Sequence, residues 1–272
     1  MTRGADRAVV ACAAFAALWL GVACLNVSSP VTGIASITSV LPPSPSVVVG
    51  DSSRDSLGDA RPLRVIAFAP NGDTVRDAKV VYFALDPSGK LTVDSITGIA
   101  HGNSLAPNAA VVARVTPANG KGALQTPSVP LPVVPIPAIV TKDSDVTRFQ
   151  FDPTPADTLA SALLSPPISV LLRAGGDTAV QRYFVSFELV HAPPSSRSGE
   201  PSVVLADESG RQSSIDTTDG SGHASRRIRV RPSALASVAD SVIVVVHVRY
   251  KKADVTGSPM TFKFPLEVKV KF

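Results

Sequence analysis

The chain carries two cysteines, Cys12 and Cys24, and four histidines, His101, His191, His223 and His247. Thiol chemistry is thus confined to the opening segment, and no two histidines stand at the H-x-x-x-H spacing that brings two imidazoles to one metal. All four histidines read as structural, with His247 a half-buried sheet residue alternating with Arg249. Gly102-Asn103-Ser104-Leu105-Ala106 departs from G-x-S-x-G in its last residue and lacks the strand-turn-helix setting of a nucleophile elbow. Asp207, Glu208, Asp216 and Asp219 lie in loops and could collect calcium if backbone carbonyls completed the shell, but their spacing fits no EF-hand, and such residues form turns. No catalytic residue, metal site or cofactor is expected. The densest charge cluster is Arg226, Arg227, Arg229 and Arg231. Strand alternation puts Arg227, Arg229 and Arg231 on one face, opposite Ile228 and Val230. That basic stripe reads as a solvated sheet face that discourages edge pairing, or as a contact for an anionic surface polymer or an acidic protein patch.

Arg3 and Arg7 precede an uncharged run, Ala8 to Ala23, that contains Val9, Val10, Phe15, Leu18, Trp19, Leu20 and Val22. A charged start followed by an apolar stretch is the pattern of a secretory signal. As a helix the run would reach ~24 Å, short of the ~30 Å hydrocarbon core of a bilayer. Leu20-Gly21-Val22-Ala23-Cys24 resembles the lipobox of bacterial lipoprotein signals, in which a small residue directly precedes the cysteine. Gly21 stands where that family prefers Leu, and Leu20 lies one place further back. The resemblance implies cleavage before Cys24, lipid attachment at Cys24 and anchoring to the bacterial cell envelope, at the outer membrane or cell surface rather than free in the periplasm. Val10-Ala11-Cys12 fits the short pattern too, but choosing Cys12 leaves almost no apolar stretch before it. With residues 1–23 removed Cys24 is the sole thiol, no intramolecular disulfide can form, and the core must hold the fold. Each buried CH₂ of an acyl chain contributes ~0.8 kcal/mol, so two or more chains anchor firmly. An ordinary secretory signal and an uncleaved anchor are the alternative readings of this segment.

The 272 residues suit two domains or one large all-β domain. With 18% charged and 44% hydrophobic residues, the chain is neither a disordered polyelectrolyte nor a many-span membrane protein. Lys+Arg 26 against Asp+Glu 22 is too even a balance for a nucleic-acid-binding footprint, so no nucleic-acid partner is expected. Beyond Cys24, short valine-rich runs bounded by Gly, Pro, Asn, Asp and Ser predict an all-β class. In the first half, strands are expected at 34–40, 47–50, 63–68, 80–85, 91–94, 111–115 and 128–134, with Pro70-Asn71-Gly72-Asp73 the sharpest turn. In the second they are expected at 146–151, 168–173, 183–191, 202–205, 225–230, 241–251 and from Phe262 onward. The run from Ser241 is apolar on both faces at its start and so should be central, while Pro265 asks for a place where a missing N–H faces no partner. Ala156 to Leu164, with Asp157 as N-cap, could make one or two helical turns.

Thr126 to Pro137 holds five prolines in twelve residues, which favours an extended path. The expected organisation is signal 1–23, lipidated tether 24–33, and two β-sandwiches at 34–138 and 139–272. The aromatics favour the second half, so its core should be the firmer one. Val49-Gly50-Asp51, Leu63-Arg64-Val65, Gly98-Ile99-Ala100-His101-Gly102 and Val111-Val112-Ala113 resemble group 2 of the bacterial Ig-like domains. Ile168-Ser169-Val170, Gly175-Gly176-Asp177, Val185-Ser186-Phe187 and Thr218-Asp219-Gly220-Ser221-Gly222-His223-Ala224 resemble group 1, the type found in invasin and intimin. In the last run, Asp219 is expected to close an Asx turn, with Gly220 and Gly222 at positive φ.

These resemblances imply immunoglobulin-like sandwiches and a non-catalytic role in adhesion, tethering or assembly, with the membrane and an unknown protein or surface glycan as partners. A carbohydrate-binding accessory module is the alternative; once Trp19 leaves with the signal, it would have to rely on Tyr82, Tyr183 and Tyr250. An enzyme with a loop-built site between the two sandwiches is a second alternative.

Overall fold

The computed structural model describes residues 33–118, 120, 122–152, 163–236 and 240–269. The signal segment, Cys24 and most of the expected helical turn at 156–164 lie outside them. Among the described residues the chain is all-β, as the valine-rich pattern predicts, with single 3-10 turns at Gly175–Asp177 and Pro232–Ala234. In the first half the strands are β1 (Ser36–Ile37), β2 (Val47–Val48), β3 (Asp51–Ser52), β4 (Ala67–Phe68), β5 (Thr74–Val75) and β6 (Lys79–Ala84). There follow β7 (Leu91–Val93), β8 (Ala100–Gly102), β9 (Ala110–Thr116), β10 (Leu124–Gln125), β11 (Val129–Pro130) and β12 (Val133–Val134). The second half has β13 (Pro137–Lys142), β14 (Phe149–Phe151), β15 (Ile168–Ala174), β16 (Phe184–His191), β17 (Val203–Ala206) and β18 (Ile215–Thr217). It closes with β19 (His223–Val230), β20 (Ser241–His247), β21 (Arg249–Tyr250), β22 (Ala253–Asp254) and β23 (Met260–Val268).

The chain divides into two compact units. Of the described residues, the smaller holds 33–38, 66–79 and those within 115–124, and its sheet is β1-β4-β5, with Ser36 opposite Phe68 and Ala67 opposite Val75. The expected turn joins β4 to β5: Gly72 takes φ 88°, its N–H donates to the Ala69 carbonyl, and the Asn71 side-chain amide donates to Asp73.

The larger unit holds the described residues within 39–65, 80–114 and 125–269, and it has two hydrophobic cores. Around the second core, one sheet runs β13-β15-β19-β17 and the other β14-β23-β20-β16-β18. Taken in chain order, these are strands A, B, E and D against G, F and C, the arrangement of an immunoglobulin sandwich. Inward residues alternate along each strand: Val242, Val244 and Val246 are buried while Ile243 and Val245 are half-buried. β20 is central, between β16 and β23, as its two-sided apolar start predicts. β14 covers only Leu266–Val268 of β23, so Pro265 falls just before that pairing begins, at a point where no described strand needs its missing N–H.

The first core repeats the plan on a smaller scale. β3-β8-β7 stand as B, E and D, and β6, β9 and β11 as C, F and G. The proline-rich stretch is part of this construction: Leu131, Val133 and Val134 are buried, and β12 pairs in parallel with β2, Val133 opposite Val47 and Val134 opposite Val48. Since successive strand residues point to opposite faces, Val47 and Val133 enter the first core while Val48 and Val134 enter the second. One two-stranded ribbon therefore serves both cores.

In the Thr218–Ala224 turn, Asp219 Oδ1 accepts hydrogen bonds from the N–H groups of Ser221 (2.8 Å) and His223 (3.0 Å), and Gly222 takes φ 87°, both as expected. Gly220 does not take positive φ, because the Asx turn needs only one left-handed residue at its exit. A Cβ on Gly222 would stand 2.5 Å from the Leu172 carbonyl oxygen, so sheet packing also demands glycine there.

Candidate functional site

The arginine stripe lies on β19, whose residues alternate in burial: Ala224, Arg226, Ile228 and Val230 are buried, while Arg227 and Arg229 are half-buried. Arg227 Nη1 donates to the Ser165 carbonyl at 2.7 Å, and Arg229 stands between Val204 on β17 and Leu164. Arg231 lies past the strand end, its N–H on the Ser202 carbonyl. Arg226 points the other way. Its guanidinium pairs with Asp216 Oδ1 at 2.8 Å and donates to the Ser225 and Ile215 carbonyls. Asp216 in turn accepts the Ser225 N–H. Among the loop carboxylates, Asp207 accepts hydrogen bonds from Ser209 and Arg211, so it closes its own turn as Asp219 does. Among the described residues, no group of three or more His, Cys, Asp or Glu side chains gathers at metal-binding distance.

Three of the histidines face carboxylates: His191 Nε2 lies 3.2 Å from Asp240, His223 Nδ1 2.7 Å from Asp143 and His247 Nε2 3.4 Å from Glu188. Each contact ties two strands or loops together, which fits their reading as structural residues.

A cleft of about 150 Å³ lies inside the larger unit. One wall is Ser44 to Gly58, around β2 and β3; the other is Arg182 to Ser186 at the start of β16, together with Ile215 and His247 to Lys251. The walls are held by side chain to backbone bonds. Ser46 Oγ donates to the Arg182 carbonyl at 2.7 Å, and Tyr183 Oη donates to the Arg249 carbonyl at 2.6 Å. Lys252 Nζ meets Asp59 at 2.6 Å, and a Cβ on Gly58 would come within 3.0 Å of the Lys252 nitrogen, so the two walls close at that edge.

On the first wall, Arg54 grips Asp51 with two parallel bonds, Nε to Oδ2 and Nη2 to Oδ1, both 2.8 Å, and its Nη1 donates to the Gly58 carbonyl. Burial works against the Asp51 charge, but the Arg54 hydrogen bonds, the Ser52 N–H and the charges of Arg54 and Lys251 hold the carboxyl below its ordinary value. Burial pushes the Tyr183 phenol up, with the neighbouring Tyr250 adding to the effect. General acid-base work favours a group that titrates near the working pH, and both of these move away from neutrality. Neither Asp51 nor Tyr183 is thus tuned toward proton transfer near neutral pH. Three non-glycine residues on its second side, Arg182 (φ 54°), Lys251 (φ 50°) and Lys252 (φ 68°), sit in left-handed backbone.

No family model matches the chain, and no curated protein matches it. Solved structures give loose likenesses. The adhesin InvE of Yersinia pseudotuberculosis is 14% identical with TM-score 0.33, and the alignment covers 88% of this chain but 61% of that one. The D0-D1 domain of intimin is 14% identical with TM-score 0.23, covering 86% and 97% of the two chains. Drosophila N-cadherin EC1-4 is 13% identical with TM-score 0.28, covering 86% and 50%. At TM-scores below 0.5 none of these superpositions carries an argument about what this chain binds or does; the immunoglobulin-type strand order rests on the sheets themselves.

Sequence reasoning singled out Tyr183 and Tyr250 as possible sugar contacts, and the structure brings both into the cleft. Tyr82 is elsewhere, buried in the first core. Asp51, Arg54, Arg182 and Lys251 escaped notice. Asp51 and Arg54 are opposite charges three residues apart beside a glycine turn, and Lys251-Lys252 follow Tyr250 in what reads as an ordinary hairpin connection. Only the fold puts them opposite one another.

Proposed function

We propose that the chain is a non-catalytic, lipid-anchored spacer of the bacterial cell envelope, two tandem Ig-like sandwiches at 34–138 and 139–272 that hold a binding surface at fixed reach from the membrane. Cys24, the lipobox-like run before it and the short segment after it supply the anchor and tether. Adhesion, tethering or assembly at the outer membrane or cell surface is the role such a module serves.

The observation that carries the reading is the β2/β12 ribbon, which sends Val47 and Val133 into one core and Val48 and Val134 into the other. A shared ribbon resists bending between the cores better than a solvated linker, because bending would pull buried valines out of at least one of them. Support for the immunoglobulin type comes from the strand order around each core.

Intact-mass measurement of membrane-extracted protein tests the anchor. The expected species begins at Cys24 and carries acyl chains, and a Cys24→Ser variant loses both the added mass and the membrane association. Recovery of unmodified wild-type protein in the soluble fraction would overturn the proposal. Crosslinking on intact cells then identifies the partner.

A further inference from the structure

We infer that the cleft lined by Asp51, Arg54, Arg182, Tyr183, Tyr250 and Lys251 is a binding site for a single sugar unit bearing a carboxylate. The inference goes beyond the spacer reading and does not depend on Cys24.

Charge comes first. Both carboxylates in the lining are already matched, Asp51 by Arg54 at 2.8 Å and Asp55 by Arg61 at 3.1 Å. Among the lining cations Arg249 is paired with Asp254. Arg182 and Lys251 are left, both exposed, with no carboxylate at ion-pair distance among the described residues. Lys251 still acts through space on the Asp51 charge, so Arg182 is the less matched of the two; its guanidinium can bind a carboxylate through a planar fork, which favours an anionic guest.

The rest of the lining is not that of a bare anion site. Tyr183, Phe184 and Tyr250 contribute aromatic surface, and Ser44, Ser46, Ser52, Ser56 and Ser186 contribute hydroxyls. Aromatic faces suit the apolar C–H faces of a pyranose, while hydroxyl and carbonyl groups suit its ring of OH groups. The Tyr183 hydroxyl, fixed on the Arg249 carbonyl, holds that ring in place before any guest arrives. Lys251 Nζ lies over the Tyr250 ring, 5.2 Å from its centroid, so the cation is held against that ring by a cation-π contact.

Size narrows the guest. About 150 Å³ is well below the roughly 300–1,000 Å³ of sites that enclose drug-sized ligands, so one ring enters while a longer chain would have to extend into solvent. Arg182 and Lys251 both sit in left-handed backbone, as Asp177 and Lys252 also do, which fixes where each side chain leaves the main chain.

The test is isothermal titration of the full chain in detergent with glucuronate, glucose and inorganic sulfate. Glucuronate should bind with a millimolar Kd and glucose at least about tenfold more weakly. Added salt should weaken glucuronate binding. Arg182→Asn and Lys251→Asn remove each charge while keeping a residue that accepts left-handed backbone, so both should fold with unchanged melting and each should lose at least about tenfold in glucuronate affinity. Cys24→Ser should bind as wild type, which separates a failure of the anchor from a failure of the site. Equal binding of glucose and glucuronate, sulfate competing as strongly as glucuronate, affinity unchanged in either Asn variant, or no binding of glucuronate would each overturn the inference.

Discussion

The two cores of the larger unit follow the same strand plan with different side chains. Around β15 and β20 the buried cluster includes Phe149, Phe151, Phe187, Phe262 and Phe264. Around β9 the one aromatic ring is Tyr82, and Ala100, Ala106, Ala109 and Ala113 fill much of the rest. Each buried aromatic removes ~150–250 Å² from water, so the second core is held by large side chains. Alanines remove far less, and the first core compensates by bringing backbones together. A Cβ on Gly102 would stand 2.6 Å from Val133 Cγ1 and 2.9 Å from the Val48 carbonyl oxygen, and one on Gly98 would stand 2.8 Å from the Tyr82 ring. One sandwich topology is thus stabilised in two ways: one core is sensitive to losing volume, the other to gaining it.

The strongest test of that contrast is truncation in the aromatic core. Phe264→Ala should cost ~3–5 kcal/mol, seen as a lower denaturant midpoint with unchanged m-value. A loss below ~1 kcal/mol would mean that the ring contributes little packing. Next in size is Asp51→Asn, which leaves the Arg54 guanidinium facing a neutral amide and should cost about 1.5–3 kcal/mol at neutral pH. The Asp51 carboxyl titrates below 3.8 in the folded chain, so the unfolded chain takes up the proton first. The stability it contributes is therefore complete above the ordinary carboxylate range and fades as the pH falls through its folded-state value. Wild type and Asp51→Asn should differ most at neutral pH and converge in acid; a gap that stays constant down to pH 2 would remove the ion pair as its cause.

Gly102→Ala probes the backbone-packed core and should cost ~1–3 kcal/mol, a large effect for one added methyl. Its absence would show that Val133 relaxes freely. The smallest effect is expected at Gly220, which has open space around its Cβ position and no positive φ. Gly220→Ala should stay within ~0.5 kcal/mol of wild type, while Gly222→Ala in the same turn, meeting the Leu172 carbonyl at 2.5 Å, should lose several times more. Thermal melts of the pair measure this directly.

Strand period made much of the fold readable. The alternation from Ser241 and from Phe262 gives both the faces and the central place of β20, because one face of each strand is dry. Short or proline-bearing strands were harder. β13 lay hidden in the end of the proline-rich stretch, and β18, only Ile215–Thr217, sits among turn formers. Their pairing comes from partners distant in sequence, β15 and β16, and no local pattern announces it. The cleft was legible only in its tyrosines. Its charges gain meaning from being opposite one another, and that is a property of sheet packing rather than of spacing along the chain.

The ribbon of β2 and β12 also governs how the molecule can be dissected. A fragment cut after Ala138 would carry away Val48 and Val134 as two greasy side chains now facing water, and its complement would keep a groove where they had been seated. The N-terminal piece would keep its own core whole, and only the C-terminal piece would lack part of its interior. Recombinant work on the C-terminal portion therefore needs the segment around Val47–Val48 supplied in cis or added back as a peptide, much as a missing strand is donated to an incomplete sandwich.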